Sequence, residues 1–307
     1  MKSSRTKELG LYLLLVFGLA WLCQIGGCRV LIADNDVALF QLLLVLTMLC
    51  PLASVLIVKR LVHHEPTGVK WHITFRGHAK DWLFAWLGLS VLTAVGSALF
   101  FLVFPALFDT SGSYILAALG EDAVTPFFES GMTPMTYFWV CLAQGVTYAP
   151  LINTIPAVGE EAGWRGFMMP RLKEQFGLVK GRVIGGVIWA VWHFPVMLLA
   201  GYEYGTDYIG APVLGLLVWC VVCVAVGTLL DWLYDKTGSI WAPALAHGAF
   251  NAAATIPALL TKYPDASRYA VFGPSSVGLI GALPILVVAI LITVRQAKEP
   301  TDSTEEE

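Results

Sequence analysis

The chain has 307 residues, of which 57% are apolar and only 13% charged, with a formal net charge of −3. A typical soluble domain carries about 25% charged residues, so a chain with a mean hydropathy of +0.71 cannot cover a water-facing surface. That excludes a soluble enzyme, a nucleic-acid binder and a disordered scaffold. An integral membrane protein remains.

A spanning helix needs about 20 mostly apolar residues, and hydropathy predicts eight spans, at about 9–32, 37–58, 82–108, 135–158, 182–200, 211–230, 241–260 and 276–294. Lys2, Arg5 and Lys7 before the first run look like the start of a signal peptide, and Ile25-Gly26-Gly27-Cys28 resembles a lipoprotein cleavage box. The run is already long enough to span and seven more follow, so it reads as a retained first helix. The expected fold is all-α: one integral membrane domain over 1–307, with about eight transmembrane helices around an intramembrane polar cavity. The acidic end, about 296–307, is expected to be disordered. The six cysteines lie in or beside apolar runs and form neither a disulfide nor a zinc pattern.

Charge placement gives the expected sidedness. All 19 Lys and Arg except Arg29, Lys262 and Arg268 fall on one set of alternating loops, which the positive-inside rule puts in the cytoplasm together with both termini. Compact loops and short tails fit a prokaryotic plasma membrane.

Ionisable residues inside spans are costly and are functional hypotheses by default. Here they cluster. Glu160, Glu161 and Arg165 end the fourth expected span, Trp189 and His193 lie in the fifth, and His247 and Asn251 lie in the seventh. Glu160, His193 and His247 are each 11 residues from a basic anchor (Arg171, Arg182 and Lys236), or about 16 Å along a helix, so three helices carry polar groups at matched depth. Glu161 and Arg165 are spaced to pair on one helix face, leaving Glu160 about 100° round the helix to face elsewhere. His247 and Asn251 likewise share a face. Pro156 and Pro195 free the carbonyls of Ile152 and Val191, which, with Asn153 and Thr154, points to a wet internal cavity. Taken singly, each residue has a bland reading: an interhelical hydrogen bond for a histidine, belt or packing roles for Trp164, Trp189, Trp192 and Trp241.

Together these residues resemble the CPBP family of intramembrane proteases, which includes type II CAAX prenyl endopeptidases and bacteriocin-processing or self-immunity proteins. The Glu-Glu-x-x-x-Arg motif is Glu160, Glu161 and Arg165; aromatic-x-x-x-His is Trp189 and His193; His-x-x-x-Asn is His247 and Asn251. The resemblance covers about 135–255. It implies an endopeptidase that cuts a membrane-associated peptide or lipidated protein. Glu160, as general base, would activate a water held with His193. His247 and Asn251 would donate to the oxyanion, with Glu161 and Arg165 in support. No cofactor is expected. Zinc held by Glu160, His193 and His247 is the alternative, against which stands the lack of a His-Glu-x-x-His. The partners expected are the lipid bilayer and a peptide or lipidated protein, and no nucleic acid. Two rival readings are a non-catalytic immunity or scaffold protein and a proton-coupled transporter, for which no inverted repeat is visible.

Overall fold

The computed structural model describes residues 2–298, with side chains from residue 5 onward. Its elements in chain order are α1 (Lys2–Asp34), α2 (Val37–Leu56) running into a π turn (Ile57–Val62), α3 (Ala79–Val103), α4 (Ser113–Leu119), α5 (Glu121–Glu129), α6 (Pro134–Val146), α7 (Ala149–Gly163) running into a second π turn (Trp164–Met168), α8 (Met169–Phe176), α9 (Leu178–Trp192), α10 (Phe194–Ala200), α11 (Val213–Thr237), α12 (Trp241–Ala253) and α13 (Leu283–Lys298). Among the described residues there is no strand, only a single antiparallel bridge between Phe108 and Thr261. The chain is an all-α polytopic membrane protein.

Among the described residues, five stretches are long and apolar enough to cross a bilayer: Arg5–Asp34, Val37–Val62, Ala79–Val103, Leu178–Ala200 and Val213–Thr237. The count of about eight is not confirmed by this measure. The other three expected spans are broken, for separate local reasons. The run at 135–158 is interrupted at Thr147, whose backbone (φ −107°, ψ −89°) leaves the helical region. The run at 241–260 stops at Ala253 and continues as a 3-10 turn, Ile256–Leu260. The run at 276–294 becomes helical only at Leu283, after the turns around Gly273, Gly278 and Gly281, whose backbones pack against neighbouring chain. α13 reaches Lys298, and the rest of the tail expected from about 296 lies outside the described residues.

Leu14, Leu22, Leu102 and Ile155 are each more than 70% exposed, an apolar exterior that water would not tolerate and lipid does. Inside, α7 is held between α2 and α12 by close approach of backbones. A Cβ on Gly159 would lie 2.7 Å from Met48 O, and one on Gly163 would lie 2.3 Å from Pro51 Cβ. Gly248 of α12 similarly sits against Pro150 O and Thr154 N of α7. Small residues are what let membrane helices approach this closely, and the result carries the end of α7 into the protein interior.

Candidate active site

Glu160 and Glu161 lie on the last turn of α7, 2% and 0% exposed. Their carboxylates are held differently. Glu160 Oε2 accepts the indole N–H of Trp189 at 2.8 Å and that of Trp164 at 3.2 Å, while its other oxygen has no hydrogen-bond partner among the described residues. Glu161 Oε1 accepts from Arg165 Nη1 at 2.8 Å and from His247 Nδ1 at 2.8 Å. The pairing of Glu161 with Arg165 is as the spacing predicts. Its second contact, across to α12, is not visible in local spacing.

His193 occupies the break between α9 and α10. Its Nδ1 lies 2.8 Å from Trp189 O. A carbonyl only accepts, so Nδ1 carries the proton and Nε2 of the neutral ring is an acceptor. Trp189 is the centre on which these residues meet. It is buried, its N–H is on Glu160, and its ring makes edge contacts with His193 (centroids 5.9 Å apart) and His247 (5.3 Å). The Arg165 guanidinium carbon is 4.8 Å from its centroid. Packing alone, the bland reading of this tryptophan, omits its hydrogen bond to Glu160. Asn251, one turn beyond His247, is exposed and makes no side-chain hydrogen bond among the described residues.

Residues 142–253 match the family described as "Type II CAAX prenyl endopeptidase Rce1-like". A stretch of 51 residues is 35% identical to the "CAAX prenyl protease 2" of Methanococcus maripaludis, covering 16% of this chain and 19% of that protein. Over this segment the chain is similar to CPBP-type intramembrane proteases. The matched segment holds Glu160, Glu161, Arg165, Trp189, His193, His247 and Asn251 and the whole of α7 through α12, whereas α1 to α3 and α13 lie outside it.

The charges of this site are desolvated and crowded. Glu161 Oε2, Arg165 Nε and the Tyr12 hydroxyl are buried polar atoms without partners, as are the indole nitrogens of Trp192 and Trp219, whose rings flank His193 at 4.7 and 5.2 Å. Among the described residues no three His, Cys, Asp or Glu side chains are grouped so as to ligate a metal. Glu160, His193 and His247 do not form such a group in this arrangement. Each histidine directs Nδ1 at a protein oxygen, a contact that also orients metal-ligating imidazoles, and one oxygen of Glu160 is taken by two indoles.

Proposed function

We propose that this protein is an intramembrane endopeptidase in which Glu160 is the general base, acting without a metal on a peptide bond of a membrane-associated, prenylated or otherwise lipidated chain. The observation that carries the reading is the asymmetry of the Glu160 carboxylate. Two neutral indole donors orient Oε2 without neutralising it, and Oε1 remains to take a proton from water. The acceptor Nε2 of His193 can bind the same water's second hydrogen. As the water attacks the scissile carbonyl, its proton passes to Glu160 and the carbonyl oxygen becomes an oxyanion.

His247 and Asn251 supply the donors for that oxygen. With Nδ1–H of His247 on Glu161, the ring donates from Nε2 only as an imidazolium. Such a cation, with Arg165, balances the two glutamates. Preorganised donors of this kind are among the largest contributions to catalysis in acyl transfer. Glu160 then returns its proton to the leaving amine, as a general base acting in reverse. Support also comes from the family description that residues 142–253 match and from the relative's printed name.

The test is incubation of purified protein in detergent with farnesylated and unmodified peptide libraries, read by mass spectrometry. Cleavage of at least one peptide class is expected from wild type, unaffected by chelators and lost in Glu160→Gln. A chelator-sensitive cleavage restored by zinc would reassign Glu160 and the histidines as ligands. Binding of peptides without cleavage would favour the immunity or scaffold reading.

A further inference from the structure

Gln24 lies in the second half of α1, outside the segment that matches the family. It is a polar residue in an apolar span, and it is 1% exposed. Its Nε2 donates to Trp192 O at 2.9 Å, and its Oε1 accepts the N–H of Val196 at 3.3 Å. Those two backbone groups are four residues apart, the pair that an unbroken α-helix joins directly. A side-chain amide presents a donor and an acceptor side by side, as the peptide group does, so Gln24 takes both ends of the missing bond. Trp21, on the same face of α1, adds an indole N–H to Trp192 O at 3.3 Å.

The residue within this opened turn is His193. In a regular helix its backbone N–H would bond Trp189 O. Here that N–H goes to Ala190 O at 3.0 Å, and Trp189 O accepts the ring Nδ1–H of the same histidine instead. Pro195 cannot donate to Val191 O, which weakens the helix at this point. The contacts from α1 act one residue on, at Trp192 O and Val196 N–H, and keep the turn open. Closing the turn would give Trp189 O back to the backbone and leave the imidazole free to rotate and change tautomer.

We infer that Gln24 is a positioning residue that holds Trp192 O and Val196 N–H apart, thereby fixing His193 with its proton on Nδ1 and Nε2 as acceptor. The effect on rate rests on the role proposed above for His193; the effect on the tautomer does not. The experiment uses full-length protein in micelles with isotope-labelled histidine, the His193 signal being assigned by its loss in His193→Asn. Wild type should show His193 protonated at Nδ1. Gln24→Met keeps the side-chain length and removes both hydrogen bonds; it should give mixed tautomers. On a fluorescent farnesylated peptide its kcat should fall about 100-fold, the scale of a misplaced catalytic group, with KM unchanged. Gln24→Glu retains an acceptor for Val196 and should fall between the two, and it stands in should Gln24→Met not fold. Protonation of wild-type His193 at Nε2, or wild-type tautomer and kcat in the folded variants, would overturn the inference. If no peptide is cut by wild type while the tautomer still responds to Gln24, the peptidase reading falls and the positioning role stands.

Discussion

At the scale of single residues, the two adjacent glutamates are predicted to fail in different ways. Glu160→Gln keeps the size of the side chain and an oxygen able to accept from Trp164 and Trp189, so folding and substrate binding should survive. Cleavage should drop by about 10²–10⁴-fold, the usual contribution of a general base, with an unchanged melting temperature in detergent. Glu161→Gln instead removes the anion shared by Arg165 and His247, both nearly fully buried. Breaking a buried pair costs about 3–5 kcal/mol, so this variant should melt well below wild type as well as cut slowly. Should Glu160→Gln cut at the wild-type rate, the base is misassigned. The sequence made the Glu161–Arg165 pair legible because its partners are one helical turn apart. It could not reveal that His247 joins them from α12, nor that Trp189 aims its N–H at Glu160. Those depend on how α9 and α12 are rotated against α7, and no local spacing encodes that. Gln24 was less legible still, because its partners are backbone atoms of another helix.

At the scale of elements, the site depends on how closely α7 approaches its neighbours. Gly248 follows His247 in sequence, and a Cβ there would lie 2.6 Å from both Pro150 O and Thr154 N. These are backbone atoms with little freedom to give way. Gly248→Ala should therefore force α12 away from α7, costing about 1–3 kcal/mol as overpacking, and should draw His247 off Glu161. Thermal melts and peptide cleavage should both show the loss. Gly26→Ala is the control. Nothing lies within 4 Å of a Cβ there, and alanine is the better helix former by about 1 kcal/mol, so that variant should be neutral or slightly stabilised. Hydropathy was a good guide to the long, uninterrupted helices and a poor guide to the rest. It measures composition, while a span also needs an unbroken backbone ladder. The breaks at Thr147, at Ala253 and around Gly273 to Gly281 are set by dihedral angles and close backbone contacts that leave apolarity unchanged.

At the scale of the whole molecule, the basic residues gather by contact as well as by count. Arg171 pairs with Glu8 at 3.0 Å, Lys173 with Asp231 at 2.8 Å and Arg5 with Glu174 at 2.6 Å, which ties the ends of α1, α8 and α11 together. The loop between α2 and α3 joins the same end. Ser239 donates to His72 O at 2.6 Å, Trp241 to Trp71 O at 2.9 Å, and Ile240 N–H to Lys70 O at 3.0 Å. Loops that the charge pattern assigns to one side are thus in physical contact at one end of the helix bundle. Arg268, one of the exceptions, bonds through its carbonyl to Ile209 in a different loop. If the positive-inside rule governs insertion, the end bearing Lys70 faces the cytoplasm with both termini. Lys70 and Arg268 are both exposed, so each can be replaced by cysteine with little effect on packing. A membrane-impermeant maleimide added to intact cells should label Arg268→Cys and leave Lys70→Cys unmodified until the cells are opened, with the unsubstituted protein as background. The reverse pattern would invert the topology. It would also place the basic cluster on the outer face, against the direction in which positively charged loops are retained.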